Sequence, residues 1–481
     1  MNRTLLLIAV LAALWPTCLH AQPFTQKEQA EVDRLVAETL AKSKVPSVSV
    51  AVVRGGEIAF VKAYGSAQLS PERGATPAAR YDIGSVSKQF TATLVLILVD
   101  EGRLSLDDTV GRYLPGLVGG DRVTLRQLLS QTSGYINYWR VDYLPPAMRQ
   151  DVAPQTIVDR WGREPLAFDP GTQWQYSNTN YVLAARIVEI IEGRPLAEVL
   201  EARIFKPLGM SSAKVGPAPP FEATDAAGYT RVLFGPTRPA ERVPAGWTFG
   251  AGGLSMTAKD LALWDLAMLD RRLLSSAGYL GQQTEVRLAD GAGAHYGLGV
   301  YVGRAGGRRV ISHDGASMGF LTQNRVYPDD RSAIVVTVNA DFGSAQYEIA
   351  EALERMVLGP VAEAPASPTV AAAPEPPPKP VNAATTSLAR RILDDLAVGR
   401  LDASLFTSDG ASYFTPERRA DLQASLAQLG PPNRFELMRW EPWAGYDASI
   451  HELGWADRKL VLIMFRTADG RVEEYYLFSP D

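Results

Sequence analysis

The feature that most constrains this chain is the segment Phe90–Val99, which is apolar on nearly every side. A helix with this pattern has no polar face for solvent, so it must be buried all round inside a larger fold. Gly84 precedes the helix in a loop, and Gly102 is expected to end it. Where the helix opens, Ser85 and Lys88 stand three residues apart, a spacing that brings two side chains together on one helix face.

Ser85 and Lys88 have the chemistry of an activated nucleophile. A serine hydroxyl is unreactive at its own pKa, and a neighbouring lysine can act as its base if the environment keeps the amine neutral. The pattern alone is weak evidence, because roughly one or two such matches are expected by chance at ordinary residue frequencies. A second match, Ser211 to Lys214, is followed by Gly216 and Pro217, and we expect it to be a loop.

A second motif, Tyr176-Ser177-Asn178, lies on the extended approach to a helix at Tyr181. Residues two apart in an extended segment point the same way. Tyr176 is therefore expected near Ser85 as a proton shuttle, with Asn178 holding a substrate carbonyl. A helix-capping Asn beside a packed Tyr is the alternative interpretation, and Tyr135-Ile136-Asn137 repeats the same pattern.

A third motif, His313-Asp314-Gly315, ends a predicted strand, so His313 and Gly315 are expected on one face. Without a side chain at Gly315, a substrate has room to lie along the strand edge as an added strand. The Ala316 N–H is expected to join that of Ser85 in holding a developing oxyanion. A lone histidine on a strand is often structural, and His295-Tyr296-Gly297 is a competing copy.

These three motifs, in this order, resemble those of the serine β-lactamase and penicillin-binding superfamily, in its class C-like branch, over about residues 26 to 358. Further segments strengthen the resemblance: Leu128–Gly134, Pro170-Gly171-Thr172, Ala251-Gly252-Gly253 and Gly315–Phe320. It implies Ser85 as the acylated nucleophile and Lys88 and Tyr176 as the proton-transfer pair. The remaining implied roles are substrate binding by Asn178, His313, Gly315 and Ala316, with the Ser85 and Ala316 amides as the oxyanion hole.

The implied fold class is α+β: an antiparallel sheet flanked by helices, with an all-helical subdomain, followed by a small C-terminal α+β domain. Sequence patterns predict the same elements. Thr25 and Glu28 form a capping box before a first helix, and two β-rich runs form a hairpin. Expected strands are Val48–Val53, Ile58–Tyr64, Gly297–Val302, Arg309–His313, Thr322–Tyr327 and Ser332–Val338, and expected helices are Ala258–Leu269 and Ala345–Val357.

The predicted function is an exported serine hydrolase that cleaves an amide or ester through an acyl-enzyme. Related β-lactamases have lysine in the third motif, whereas this chain has His313, which is largely neutral at pH 7. A neutral imidazole attracts a carboxylate less, so D-amino-acid peptides and short acyl esters are favoured over β-lactams. The alternatives are a β-lactamase and, in another class, a non-catalytic penicillin-binding or cell-wall sensor.

A rival nucleophile is Ser317, because Gly315-Ala316-Ser317-Met318-Gly319 matches the elbow of α/β-hydrolases. An elbow must turn from a strand into a helix. Here Leu321–Tyr327 is predicted to continue as a strand, and the one later histidine, His451, lies beyond a Pro-rich segment. We therefore favour Ser85.

Four regions are expected: a signal peptide (1–21), a hydrolase domain (22–358), a Pro/Ala-rich linker (359–385) and a C-terminal domain (386–481). Arg3, the apolar run Leu5–Trp15 and Ala21 have the order of a secretory signal, and the run is too short to span a bilayer. A periplasmic or secreted location follows. Cys18 lies inside this signal, so the mature chain has no thiol and no disulfide.

The formal net charge of -5 argues against a nucleic-acid partner. His295, His313 and His451 are too scattered to spell a zinc site, so no metal or cofactor is expected. The expected partner is a small-molecule or peptide substrate, such as a cell-wall peptide.

In the C-terminal domain, helices are expected at Leu388–Leu396 and Arg418–Leu429 and strands at Arg434–Trp440, Lys459–Phe465 and Val472–Phe478. Trp440, Trp443 and Trp455 are expected mainly as core, with a sugar-stacking surface as the alternative. We expect residues 1 to 380 to be active alone, and selectivity to depend on loops such as Tyr135–Tyr143.

Overall fold

The structure is a computed structural model, and it describes residues 23–216, 225–359, 382–443 and 445–480. The predicted signal peptide and most of the predicted linker lie outside the described residues. The helices are α1 (Gln26–Ser43), α2 (Ser87–Asp100), α3 (Leu125–Leu129), α4 (Pro154–Trp161), α5 (Asn178–Glu192), α6 (Leu196–Leu200), α7 (Lys206–Leu208), α8 (Ala258–Leu269), α9 (Ser276–Gln282), α10 (Ala345–Leu358), α11 (Ala383–Ala397), α12 (Ser408–Tyr413) and α13 (Pro416–Leu429).

The strands are numbered in chain order. Those before the predicted linker and those after it belong to separate sheets. They are β1 (Ser47–Arg54), β2 (Glu57–Leu69), β3 (Glu72–Gly74), β4 (Tyr81–Asp82), β5 (Lys214–Val215), β6 (Tyr229–Thr230), β7 (Arg238–Pro239), β8 (Leu254–Met256), β9 (Tyr301–Ala305), β10 (Arg308–Ser317), β11 (Phe320–Tyr327), β12 (Ser332–Val338), β13 (Arg434–Trp443), β14 (Tyr446–Gly454), β15 (Lys459–Arg466) and β16 (Val472–Phe478).

The main sheet has seven strands in the order β3-β2-β1-β12-β11-β10-β9. Its centre joins distant parts of the chain, since β1 pairs antiparallel with β12 and Val48 lies opposite Val338. The predicted single antiparallel sheet is therefore confirmed. β9, the strand at the end of this sheet order, starts at Tyr301 rather than at the expected Gly297. A side chain at Gly299 would contact Ala92 and the Lys88 carbonyl, so the chain bends here to pack on α2.

Helices cover both faces of this sheet. On one face, α1 and α10 pack Val36 and Ile349 against Val50 and Val336. On the other face lie α8, α2 and the mostly helical region between Leu104 and Leu208. Every α2 residue from Ser87 to Leu98 is buried, as its apolar sequence predicts. This burial fixes the position of Ser85 and Lys88 inside the domain.

The C-terminal domain is a four-stranded antiparallel sheet, β13-β14-β15-β16, backed by α11 and α13. The sequence analysis missed β14, the second strand in that order. Tyr446, Ala448 and Ile450 alternate with polar residues, a period of two that is typical of a strand and that the sequence analysis overlooked. In the structure this segment pairs antiparallel with both β13 and β15.

The C-terminal domain packs directly on the first domain. Leu233 is buried in the core of the C-terminal domain, and Arg238 pairs with Asp421 through two contacts of 3.1 Å. On the other side, Tyr143 donates a 3.1 Å hydrogen bond to the Glu473 carbonyl. None of the helices in the described residues is long and apolar enough to cross a membrane.

Truncation of the central helix should destabilise the first domain. Leu96 on α2 is 1% exposed, so Leu96→Ala leaves a cavity and should cost about 2 to 5 kcal/mol. Leu280, which is 68% exposed, is the matched control, and Leu280→Ala should change stability by less than about 0.5 kcal/mol. Urea unfolding followed by fluorescence measures both, and equal effects would show that α2 is not the centre of the core.

Candidate active site

Ser85 lies on a single 3-10 turn, Gly84–Val86, that leads into α2. The turn is held by Asp82, whose carboxylate accepts the Gly84 N–H at 2.7 Å. Gly84 has a positive φ of 51°, and a Cβ there would lie 2.6 Å from the Ala316 nitrogen. Glycine is therefore required at position 84, because it lets β10 approach the serine turn closely.

Lys88 is fully buried and its amine has three polar neighbours. Its Nζ lies 3.0 Å from Ser85 Oγ, 2.8 Å from Asn178 Oδ1 and 2.6 Å from the Ala251 carbonyl. Burial lowers the pKa of Lys88 well below its usual value. A neutral amine has two N–H donors, and the two carbonyl oxygens only accept, so its lone pair is left to face the Ser85 hydroxyl.

Tyr176 and Asn178 lie beside this pair, as their motif predicts. Lys88 Nζ is 4.7 Å from the centre of the Tyr176 ring. Burial raises the pKa of Tyr176 well above its usual value, and a hydrogen bond with Ser85 offsets this only in part. Tyr176 is therefore a neutral phenol that has a proton to give. Asn178 begins α5, and its side chain contacts Lys88 rather than capping the helix.

His313 lies behind Tyr176 and is buried. Its Nδ1 lies 2.7 Å from the Asp314 carbonyl and must carry the proton, so Nε2 accepts the Tyr296 hydroxyl at 3.0 Å. Burial lowers the pKa of His313 to about 3, so the ring is neutral at pH 7. The ring of Tyr176, 6.2 Å away between centroids, lines the cavity described below, whereas His313 does not. Substrate contact by His313 stays a prediction.

Gly315 and Ala316 lie on the part of β10 that faces Ser85. A Cβ at Gly315 would lie 2.0 Å from the Ile83 carbonyl, so the glycine allows β10 to pack on the serine turn, a reason that sequence analysis did not find. Pairing with β9 ends at Ser312, so within the described part of the chain residues 313–317 have no strand neighbour on that side. This free edge is where the added strand of a substrate is expected.

The competing serine and histidine motifs have other partners. In the Ser211 to Lys214 copy, Ser212 lies in a turn and donates its hydroxyl to Asp260, and Lys214 begins β5. His295 has a side chain that is 87% exposed and lies 3.2 Å from Glu285. Ser317 donates its hydroxyl to Asp82 at 3.0 Å. It ends a strand that turns into another strand, β11, so the elbow interpretation lacks its helix.

Sequence analysis missed the residues that hold the segment Tyr176-Ser177-Asn178 in place. Gln131 Oε1 accepts the Ser177 N–H at 3.0 Å and the Asn180 amide at 2.7 Å. Asn137, set aside as part of a duplicate pattern, accepts the Asn178 N–H at 3.0 Å. Gln131 lies within the segment Leu128–Gly134, which strengthened the family resemblance. That resemblance was the one sequence signal that could have pointed to Gln131 as a site residue.

Ser85, Tyr176, Asn178 and Ala316 line a cavity of about 520 Å³. The loop around Tyr143 and the segment Thr230–Val232 form its sides. The C-terminal domain closes it with Tyr413, Arg418, Trp443 and Tyr476. Of these, the sequence analysis named only Trp443 for a binding role, as part of an alternative sugar-stacking surface. Trp443 also stacks on Phe465 at 5.1 Å, whereas Trp440 is 43% exposed.

An antiparallel sheet between helices, with serine and lysine opening a buried helix and a tyrosine beside them, defines the β-lactamase and penicillin-binding class of fold. Residues 32–356 match the Beta-lactamase family. The chain belongs to the Beta-lactamase family.

The relatives that match include proteins named for D-amino-acid chemistry. A D-aminopeptidase of Brucella anthropi is 32% identical over 322 residues, which are 66% of this chain and 60% of that protein. A D-aminopeptidase of Brucella ovis is 33% identical over 62% of this chain and 57% of that protein. The chain thus spans about three fifths of the length of these curated relatives.

Solved structures agree on the fold. A D-stereospecific amidohydrolase from Streptomyces sp. superposes with a TM-score of 0.59 at 27% identity, over 68% of this chain and 97% of that one. An octameric penicillin-binding protein homologue from Pyrococcus abyssi has a TM-score of 0.60 at 20% identity, over 94% of this chain and 100% of that one. The second likeness concerns the fold alone.

The buried amine should make stability depend on pH. Between its lowered folded pKa and its ordinary unfolded value of about 10.4, the unfolded chain binds more protons at Lys88, so this residue destabilises the fold less as pH rises. The free energy of unfolding of the wild type, relative to Lys88→Met, should therefore increase from pH 7 to pH 9. Urea unfolding measures it.

Lys27→Met, at an exposed position on α1, is the control for removing one lysine. The free energy of unfolding of the wild type, relative to Lys27→Met, should stay constant over the same pH range. If the Lys88→Met difference also stays constant, the amine is charged in the folded protein.

Proposed function

We propose that this protein is a serine hydrolase that forms an acyl-enzyme at Ser85 and cleaves amides of D-amino acids, either D-peptides or simple amides. The observation that carries the proposal is the buried Lys88 amine, 3.0 Å from Ser85 Oγ, with both of its N–H donors directed at other acceptors. Such an amine is ready to accept the serine proton.

The reaction follows from these positions. Lys88 takes the Ser85 proton as Oγ bonds to the substrate carbonyl carbon, and the N–H groups of Ser85 and Ala316 hold the oxyanion. Tyr176 gives its proton to the leaving nitrogen as the C–N bond breaks, and it regains one from the protonated Lys88. Water then attacks the acyl-enzyme with the same groups, which releases the acid and restores Ser85.

The names of the relatives support the substrate class, because a D-aminopeptidase and a D-stereospecific amidohydrolase share the fold and about 30% of the aligned residues. The neutral His313 argues against a β-lactamase, since the ring carries no charge for a substrate carboxylate. The unpaired edge of β10 supports an extended peptide as substrate. We further propose export, from the order of charged, apolar and small residues in Met1–Ala21.

Replacement of the nucleophile tests the proposal. Ser85→Ala should abolish labelling by a fluorophosphonate and reduce hydrolysis of D-alanine p-nitroanilide by at least ~1,000-fold, because the covalent route is lost. Ser317→Ala removes the rival nucleophile and should keep the label. Label that persists in Ser85→Ala but is lost in Ser317→Ala would reverse the assignment.

Substrate comparison separates the alternatives. The wild type should hydrolyse D-alanine p-nitroanilide faster than its L-isomer and faster than a chromogenic cephalosporin. Rapid cephalosporin turnover would favour a β-lactamase. A long-lived penicillin adduct seen by mass spectrometry, with no turnover of any substrate, would favour the sensor.

A further inference from the structure

Asp82 lies between the two segments that carry the proposed oxyanion donors. Its Oδ1 accepts the Gly84 N–H at 2.7 Å, and its Oδ2 accepts the Ser317 hydroxyl at 3.0 Å. Gly84 directly precedes Ser85 in the serine turn. Ser317 directly follows Ala316 on β10. One carboxyl group therefore holds a neighbour of each N–H group that the proposed reaction needs.

The end of β10 has a sheet neighbour on one side only. Its pairing with β9 stops at Ser312, whereas its pairing with β11 continues to Ser317, which lies opposite Phe320. Within the described residues, the segment from 313 to 317 is thus paired along a single edge. Contacts with the serine turn therefore contribute to fixing the position of this segment.

Asp82 is itself fixed from the other side. It lies on β4, which pairs antiparallel with β8, and its partner in the register is Ser255. The next residue, Ile83, donates its N–H to the Leu254 carbonyl at 2.9 Å. β8 thus holds the backbone that carries the carboxyl. The hydrogen bond from Ser317 ties the end of β10 to this fixed point.

Packing restrains the two segments in one direction only. A Cβ at Gly84 would lie 2.6 Å from the Ala316 nitrogen, and a Cβ at Gly315 would lie 2.0 Å from the Ile83 carbonyl oxygen. Contacts this close prevent the segments from approaching further, but they do not prevent them from moving apart. Two hydrogen bonds to a shared carboxyl supply the second restraint.

The carboxyl depends on these two donors. Among the described residues, no lysine or arginine forms an ion pair with Asp82. Burial raises the pKa of Asp82, and the hydrogen bonds from Gly84 and Ser317 oppose this rise. A carboxylate that is removed from water is unfavourable unless donors satisfy it, so its attraction for both donors is strong.

We propose that Asp82 is a positioning residue for the oxyanion hole, which keeps the Ser85 and Ala316 N–H groups at the separation that one substrate oxygen needs. The inference rests on the proposed function and adds a residue to it. Asp82 does not line the cavity at Ser85, so it acts through the two segments that it joins. Its effect is expected where negative charge develops on the carbonyl oxygen, in the transition state more than in the bound substrate.

Loss of the Ser317 hydroxyl tests the link in the full-length protein. Ser317→Ala should lower kcat for D-alanine p-nitroanilide about tenfold and change KM less than about twofold. The reason is that displacing an oxyanion donor loses part of the ~100-fold or larger effect of removing one. Ser317→Thr keeps the hydroxyl and should restore kcat.

Ser255→Ala is the matched control for this experiment. Ser255 lies beside Asp82 on β8, and both residues line a small cavity of about 70 Å³ together with Ser317. The Ser255 side chain makes no hydrogen bond to Asp82, so its replacement should leave kcat unchanged. A loss in Ser317→Thr equal to that in Ser317→Ala would show that the hydroxyl does not act as the link.

A double-mutant cycle shows whether Asp82 and Ser317 act together. Asp82→Ala should lower kcat at least as much as Ser317→Ala. Adding Ser317→Ala to Asp82→Ala should then lower kcat less than about twofold further, because the link is already lost. A full additional tenfold loss would mean that Ser317 acts independently in the cavity, and the proposal would fail. If circular dichroism shows that Asp82→Ala does not fold, the comparison of Ser317→Ala with Ser317→Thr decides.

Binding of a transition-state mimic separates this inference from the substrate assignment. Phenylboronic acid accepts an electron pair from Ser85 Oγ, whose proton passes to Lys88, and the tetrahedral anion that forms places an oxygen in the oxyanion position. Calorimetry should show that Ser317→Ala weakens the binding of phenylboronic acid about tenfold. The affinity for D-alaninamide, measured in Ser85→Ala to prevent turnover, should not change when Ser317→Ala is added.

The two ligands give distinct outcomes. Equal weakening of both, or no weakening of either, would overturn the positioning role even if the protein hydrolyses D-amides. Selective weakening of the boronate, without wild-type turnover of D-alanine p-nitroanilide, would support the positioning role and reject the proposed substrate class.

Discussion

The active site depends on one buried amine. Lys88 is removed from solvent by the helix that carries it, and none of the described carboxylates forms an ion pair with it. Without a compensating charge, the neutral amine is the favoured form. The carbonyl of Ala251 and the amide of Asn178 then take its two N–H groups, which directs the lone pair to Ser85. Burial of α2 all round therefore sets the protonation state of this amine as well as the packing of the domain.

Around this amine, three distant segments meet with little room between them. Gly84 and Gly315 mark the places where β10 and the serine turn approach too closely for a Cβ. Gln131 and Asn137 hold the segment with Tyr176 and Asn178 from behind. His313 packs among tyrosines, with both ring nitrogens hydrogen-bonded and no charge. Most of these groups position the reacting side chains, and few of them face the cavity.

The C-terminal domain has its own core, yet it completes the cavity wall. Its aromatic sheet face, including Trp443 and Tyr476, covers the site, and its contacts with Leu233 and Arg238 hold it there. Ser85, Tyr176 and Asn178 reach the cavity from the first domain, and Tyr413, Arg418, Trp443 and Tyr476 reach it from the C-terminal domain.

Sequence alone determined the fold class, the main sheet strands and the grouping of Ser85, Lys88, Tyr176 and Asn178, because helical and strand periodicity and short motifs are local properties of the chain. It missed β14, the late start of β9, the support from Gln131 and Asn137, and the contribution of the C-terminal domain to the site. Most of those features depend on contacts between separate segments of the chain, such as Gln131 with Ser177, 46 residues away, and Asp142 with Glu474, 332 residues away. No local pattern records such a meeting, so only the tertiary structure decided it.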